Sequence, residues 1–320
     1  MNEEYDVVVV GGGAAGLSAA LVLLRARRTV VLVDAGAPRN APAAHMHGFL
    51  SRDGMPPAKL LEAGRSELSS YGGRLIDDTV VGIEPGFHVR LAGGSQLRAR
   101  RILVATGLHD ELPDIPGVRE RWGRDLLHCP YCHGYEVRDQ PLGVLGGAPE
   151  AVQHALLVRQ WSPDVILFPH TDALTPEQRE HLTARGIRIV EGTVARLVVD
   201  DDRLHGVELR GGTVIPRTAV FVRPRFVPNA DLLTGLGCAL DENGLVVHDP
   251  VGRTSVAGVW VAGNAADPRA QVISAAGQGS TAAIALNADL VDEDVKRALA
   301  DHRAGHMASA PALPSSFISG

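Results

Sequence analysis

Val7-Val8-Val9-Val10 runs straight into Gly11-Gly12-Gly13-Ala14-Ala15-Gly16, and few local patterns restrict a fold so tightly. A short β-branched run of this kind reads as a strand buried on both faces. The glycines match G-x-G-x-x-G. Gly11 makes the tight turn, Gly13 lets the backbone approach a pyrophosphate, and Gly16 lets helix and strand pack closely. A helix is expected over about residues 14–27, with Leu17, Ala20, Leu21 and Leu24 on one face. The next strand, residues 29–33, ends in Asp34, where an acid would bind a ribose hydroxyl. Because the helix N-terminus faces the anion, Gly11, Gly13, Ala14, Ala15, Gly16 and Asp34 form a candidate dinucleotide site.

A second, poorer version follows a strand expected from Leu142: Gly143-Val144-Leu145-Gly146-Gly147-Ala148-Pro149-Glu150-Ala151. Ala148 puts a Cβ where a pyrophosphate needs close approach, Pro149 lacks an N–H, and Glu150 adds negative charge. The strand after it leads to Pro169-His170-Thr171, with no arginine cluster for a 2′-phosphate. This half reads as a Rossmann scaffold that binds nothing well. Late in the chain, Gly258-Val259-Trp260-Val261-Ala262-Gly263-Asn264-Ala265-Ala266-Asp267 reads as a strand feeding a glycine turn. A helix rich in Ala and Gly is expected from about Gln271 to Leu290, packing closely against something flat or against backbone.

Two of the three cysteines lie in His128-Cys129-Pro130-Tyr131-Cys132-His133. A Cys-x-x-Cys pair either supplies half of a zinc site or cycles between dithiol and disulfide. Zinc wants a second ligand pair, and Cys238 is alone, so no metal is expected and redox cycling is the preferred reading. The acidic N-terminus lacks the basic region of a signal peptide, and no apolar run approaches a membrane span. At a formal net charge of −6, with acids and bases interspersed, nothing points to nucleic acid or an anionic membrane. A cytoplasmic setting is expected, and 320 residues suffice for two domains.

Together these pieces resemble the low-molecular-weight thioredoxin reductase family of flavoproteins. Four motifs occur in the family's order: the first glycine motif, Ala105-Thr106-Gly107, Cys129-x-x-Cys132, and Gly263-x-x-x-Asp267. The resemblance implies an α/β chain of two Rossmann-like, doubly wound, three-layer domains of the FAD/NAD(P)-binding type. Residues 1–113 and 242–320 would bind FAD, and 114–241 would carry the redox pair. It also implies a homodimer. Cys132 would lie against the flavin and Cys129 would exchange with substrate. Ala105, Thr106, Gly107, Gly263, Asn264, Gln271 and Val272 would contact FAD, the last two at the N-terminus of the late helix.

Several residues depart from the reductases. His133 replaces the acid after the second cysteine, Asn264 replaces an Asp, and the NADPH-binding glycine and basic clusters are missing. Histidines enter the segment His45-Met46-His47. That set resembles the dithiol oxidase branch, whose members close disulfides in natural products such as gliotoxin and holomycin. The implied reaction converts a small dithiol to its disulfide, with O2 as acceptor and H2O2 as product. The alternatives are an NADPH- or ferredoxin-dependent reductase acting on thioredoxin, and a flavin redox sensor without turnover. NADPH binding is doubtful on these residues. His133 reads as a base for thiol deprotonation or as a solvated loop residue. His45 and His47 read equally as surface or substrate-pocket residues. His128, if protonated, would lower the Cys129 pKa. Cys238 reads as a small buried apolar residue, Asp200-Asp201-Asp202 as a hairpin tip, and the tail after Leu299 as poorly ordered or as a docking extension.

Overall fold

A computed structural model describes residues 3–308 of the chain. The first unit opens with β1 (Glu3–Val10), α1 (Ala14–Arg25), β2 (Val30–Asp34), α2 (Pro57–Ser70) and β3 (Arg74–Asp77). An antiparallel excursion follows, through β4 (Val80–Glu84), β5 (His88–Leu91) and β6 (Gln96–Val104). The chain then leaves along β7 (Leu108–Glu111) and α3 (Val118–Arg121). The second unit holds β8 (Leu126–Leu127), α4 (Pro130–His133), β9 (Leu142–Leu145), α5 (Pro149–Val158), β10 (Val165–Phe168), α6 (Pro176–Ala184) and β11 (Arg188–Ile189). Next comes a meander of β12 (Val194–Asp200), β13 (Arg203–Leu209) and β14 (Val214–Pro216), and then β15 (Ala219–Val222). The chain returns through β16 (Arg225–Pro228) and α7 (Asp231–Gly235) to β17 (Val259–Val261) and α8 (Val272–Ala308).

Each unit is built on a sheet whose central strands run parallel. The first has the order β3-β2-β1-β6-β5-β4, with β17 pairing β6; the second has β11-β10-β9-β15-β8. Strands β1, β9, β10 and β15 carry apolar residues on both faces, as strands covered by helices must. The outward and return passages between the units, β7 and β16, pair antiparallel as a two-stranded ribbon. Among the described residues no helix is long and apolar enough to cross a membrane.

Helix α1 buries Ala19, Ala20, Leu23 and Leu24 in one cluster with Ala282, Ala283, Leu286 and Leu290 of α8. The expected face is corrected at one position: Leu21 is half-exposed, and Leu23 is fully buried in its stead. Helix α1 packs on both α8 and the sheet, so its buried arc is rotated from the one a single stripe suggests. At the crossing, a Cβ on Gly279 would lie 2.0 Å from the carbonyl oxygen of Ala15, which is why the late helix needs small residues. Of the two partners anticipated for that helix, something flat or backbone, the structure shows the second: the backbone of α1 at Ala15.

Helix α8 outruns its expected end at Leu290. Its next turns are anchored by ions rather than by apolar burial. Arg101 reaches Asp289 (2.7 Å) and Glu293 (2.6 Å), Arg100 reaches Asp294 and Glu293, and Arg28 reaches Asp294 (2.8 Å). The tail beyond Leu299 continues as helix to Ala308, and residues 309–320 lie outside the described residues. Leu233 and Cys238 also depart from the sequence-based division, because they pack in the first unit's core beside Val8 and Val80. Cys238 is 6% exposed, with its thiol 3.5 Å from the Thr254 hydroxyl.

The acidic hairpin tip is more than a turn. Asp201 and Asp202 take positive φ between β12 and β13, and Asp202 accepts hydrogen bonds from Arg124 and Arg121. These two guanidinium groups hold its carboxyl at about 2. A carboxylate held below its ordinary range stabilises the fold above that range, and the contribution is lost as pH falls toward 2. Arg121 is 3% exposed and also bonds Asp125 (2.7 Å). Replacing Arg121 by Ala leaves the part-buried Asp125 carboxylate without its counter-ion, with the Leu204 amide (2.8 Å) as its remaining donor. The expected loss is about 3 kcal/mol of unfolding free energy, read from the denaturant midpoint.

Candidate active site

The first glycine loop is shaped by what surrounds it. Gly11 has φ +106°, and its amide donates to the Val33 carbonyl (2.8 Å). A Cβ on Gly16 would lie 1.9 Å from the Gly11 carbonyl oxygen, so the helix could not approach the strand turn with any other residue there. At Gly13 an added Cβ meets nothing within 4 Å. That free space lies beside the first amides of α1, which have no side-chain cap. The uncapped amides there suit the negative charge of a pyrophosphate. Asp34 Oδ1 accepts from the Gly12 amide (3.1 Å), and Oδ2 accepts from Arg65, which also reaches Asp77 (3.2 Å). Arg65 was not singled out from sequence, because nothing in the spacing of α2 marks it. A hollow of about 490 Å³ next to Asp34 is lined by Gly36, Arg65, Asp77, Asp78 and Thr79, on the side where an adenosine would lie.

The neighbouring motifs close around the same place. Ala105 continues β6, its amide donating to Val10 (2.7 Å). Thr106 and Gly107 grip the return passage: Thr106 Oγ1 donates to the Asn229 carbonyl (2.7 Å), and the Asn229 amide donates to Gly107 (3.0 Å). Gly263, at φ +71°, donates its amide to Gln278 (3.0 Å). Asn264 is committed to its own loop, since its amide group donates to the carbonyls of Asp267 and Ala270, both at 3.0 Å. Its Oδ1 lies 3.4 Å from Arg39. Gln271 accepts from Ala275 (2.8 Å) as the residue before α8, leaving the first-turn amides, Val272's among them, free to face an anion. With the opening at Gly13 and two helix N-termini converging, these residues fit FAD.

Cys129 and Cys132 form a disulfide with Cα atoms 5.2 Å apart. Cys129 precedes the single turn α4, which starts on Pro130 and ends at Gly134. A Cβ on Gly134 would meet the Pro130 carbonyl oxygen at 2.5 Å and Trp161 at 2.9 Å, so the turn closes tightly beneath the sulfurs. Both cysteines are half-buried, while Tyr131 and Tyr135 are each 65% exposed and border the pair with apolar surface. Arg138 stacks over Tyr135 at 3.9 Å. Burial depresses the His133 pKa, opposed by Glu136 and reinforced by His47, so at neutral pH it is an uncharged imidazole able to accept a proton.

Two histidine expectations are revised. His128 faces His154 and Phe226, at ring separations of 5.7 and 5.1 Å, and burial beside His154 holds it at about 4. It is neutral at physiological pH and brings no positive charge to Cys129. Of the paired histidines, only His47 is linked to the redox turn, through Glu136 at 3.5 Å. His45 is exposed.

The second glycine loop repeats the first with one change. Gly146 donates to the Phe168 carbonyl (2.9 Å) as Gly11 does to Val33, and Gly147 donates to Asp172 Oδ2 (2.9 Å) as Gly12 does to Asp34. Ala148 stands at the position of Gly13 and precedes α5, and Pro149 and Glu150 fill its first turn. His170 is spent on structure, its Nδ1 accepting from the Val194 amide (3.0 Å). Asp172 lies in a loop past the strand end, where sequence spacing gives no signal.

Fold and site together define an FAD-dependent disulfide oxidoreductase of two Rossmann-like units. The chain belongs to the pyridine nucleotide-disulphide oxidoreductase family, whose pattern matches residues 5–280. Thioredoxin reductase sirT of Leptosphaeria maculans is 31% identical over 313 residues, covering 91% of this chain and 96% of the relative. The crystal structure of HlmI superposes with a TM-score of 0.92 at 62% identity, covering 95% of this chain and 97% of that one. A putative thioredoxin reductase TrxB from Bacillus anthracis gives a TM-score of 0.87 at 35% identity, covering 91% and 99%.

Proposed function

We propose that this protein is a dithiol oxidase, closing an intramolecular disulfide in a small-molecule substrate and passing the electrons to O2. The observation that carries the direction is the second glycine loop. Ala148 adds a Cβ where the first loop has Gly13, Pro149 and Glu150 put a missing N–H and a negative charge in the first turn of α5, and no basic cluster waits for a 2′-phosphate. Electrons therefore enter from a thiol substrate rather than from NADPH. A reductase reading keeps its support in the relatives named thioredoxin reductase, and a ferredoxin-supplied form would need no nucleotide site.

In this reading His133 takes the proton of the first substrate thiol, because only the thiolate attacks. The new thiolate bonds Cys129 Sγ while the Cys129–Cys132 bond breaks, and the electron pair leaves on Cys132. The second substrate thiol, once deprotonated, attacks the substrate sulfur, closes its own disulfide and releases Cys129. The enzyme dithiol now holds the two electrons. FAD, which the Gly11–Gly16 loop and the N-terminus of α8 would hold, would supply the two-electron acceptor for this dithiol and the outlet to O2, with H2O2 as product. Tyr131 and Tyr135 offer apolar contact to a compact substrate. A cytoplasmic setting belongs to the same proposal, and so does a homodimer. Ile284, Val291, Val295 and Leu299, exposed along α8, support the latter.

The deciding experiment mixes the oxidised holoprotein anaerobically with NADPH, NADH or a dithiol. A dithiol is expected to bleach the flavin within seconds, while NADPH leaves it oxidised. Rapid reduction by micromolar NADPH would restore the reductase reading.

A further inference from the structure

The chain passes between the two units twice, out along β7 and back along β16, and these strands pair with Asp110 opposite Phe226. Opposite residues of an antiparallel pair share one face of the ribbon. Units joined in this way move against each other unless something fixes them. One side chain from elsewhere in the sequence grips both members of that pair. A turn after β2, closed by the Ala41 amide on the Pro38 carbonyl (3.0 Å), presents Arg39 to the ribbon. Its Nε and Nη2 donate to the two carboxylate oxygens of Asp110 (2.8 and 2.7 Å), and its guanidinium carbon lies over the Phe226 ring, 4.9 Å from the centroid. Its Nη1 lies 3.4 Å from Asn264 Oδ1, in the loop that precedes α8. Phe226 in turn meets His128 edge-on at 5.1 Å, and His128 adjoins Cys129. A little further along the Arg39 segment, Pro42 packs on the second unit, where a Cβ on Gly123 would lie 2.6 Å from its own Cβ. Contacts therefore run from the loop before α8, through Arg39 and the ribbon, to the redox turn.

The Asp110 side chain is only 8% exposed. A buried ion pair of this kind adds little net stability, because desolvation offsets its attraction; a bidentate fork supplies fixed geometry instead. Lysine cannot reproduce that geometry, since its ammonium is a point charge on a flexible stem. Geometry matters most in the step where the Cys129–Cys132 dithiol closes its S–S bond again. That step gives two electrons and one proton to FAD and one proton to solvent. A reacting atom misplaced by about 1 Å can cost a hundredfold in rate. Exchange at Cys129 is free of that demand, because a small dithiol diffuses to the sulfur.

We propose that Arg39 is a positioning residue that clasps the ribbon to the loop before α8 and so sets how Cys132 meets the flavin. The inference rests on the reading of Cys129–Cys132 as the pair that takes electrons from a dithiol and hands them to FAD.

Arg39→Lys and the double variant Arg39→Gln with Asp110→Asn would be compared with the unsubstituted holoprotein. The double variant leaves no buried charge unpaired, so its fold should survive. Anaerobic single-turnover bleaching of the flavin by dithiothreitol should slow by about ten- to a hundredfold in both. Exchange at Cys129 is read separately, on a Cys132→Ser background, from the rate of reaction with dipyridyl disulfide, and should stay within about twofold. On a Cys129→Ser background, Arg39→Lys should remove about half or more of the long-wavelength absorbance of the remaining thiolate. FAD affinity and thermal midpoint are expected to stay unchanged. Bleaching at the unsubstituted rate in both variants would overturn the inference. Equal losses of bleaching and of exchange at Cys129 would overturn it too, by marking a general loosening of the fold. So would a fall in FAD affinity matching the fall in rate, which would make Arg39 a cofactor contact instead of a clasp. Failure of dithiothreitol to bleach the unsubstituted protein would remove the underlying reading of the pair, and this inference with it.

Discussion

Cys129→Ser and Cys132→Ser are each expected to cut dithiol turnover by about a thousandfold or more, because exchange needs two sulfurs and a lone thiol cannot resolve its own mixed disulfide. The two variants should differ in colour. If Cys132 is the sulfur beside the flavin, Cys129→Ser leaves a thiolate there and shows long-wavelength absorbance. Cys132→Ser should lack it. Equal spectra for the two would erase the division of labour, and a band in Cys132→Ser alone would reverse it. The pair bridges a single helical turn and packs little apolar surface, so both variants should fold and retain FAD. Thermal melts followed by flavin fluorescence would check this.

The second large effect is expected at the first glycine loop, where two substitutions by the same residue should fail differently. In Gly16→Ala the new methyl lands 1.9 Å from a backbone oxygen, so α1 must move off β1. Stability should fall by about 1–3 kcal/mol, and FAD affinity by about a hundredfold, or about 2.7 kcal/mol. In Gly13→Ala the methyl meets no protein atom. Its backbone lies at φ −76°, which alanine adopts freely. That variant should keep its apoprotein stability and lose only FAD affinity, by a similar factor. Titration of apoprotein with FAD, beside urea melts of the same samples, separates the two outcomes. Unchanged FAD affinity in Gly13→Ala would mean that the open space at Gly13 is not the pyrophosphate site.

The parts of the chain that sequence made legible are those governed by local sterics. Gly11 makes the turn and Gly16 the close helix packing that their spacing requires, and the Cys129–Cys132 turn closes on itself. Long-range features were not legible. Leu21 and Leu23 cannot be ranked by periodicity until the second partner of α1 is known. The turns of α8 just past Leu290 are anchored by Arg28, Arg100 and Arg101, which come from a loop and a strand far back in the chain. Glu136 and His47 are separated by most of the first unit, and Asp172 meets Gly147 only because a loop folds back. His45 and His47 look equivalent in sequence. The backbone turns one toward the redox pair and leaves the other in water.

The duplicated loop gives this molecule an internal reference. Gly146, Gly147 and Asp172 reproduce the hydrogen bonds of Gly11, Gly12 and Asp34 to within a few tenths of an ångström, on a scaffold of the same handedness and the same solvent. Beyond that shared turn four residues differ: Ala148, Pro149, Glu150 and Ala151 stand where the first loop has Gly13, Ala14, Ala15 and Gly16, and the first of these adds one methyl carbon. A dinucleotide offered to the whole chain therefore meets two loops of like turn geometry and unlike lining at equal concentration. Its partition between them reports the four differences together. Exchanging Gly13 and Ala148 would ask whether ligand choice travels with that single atom or stays with the surrounding fold.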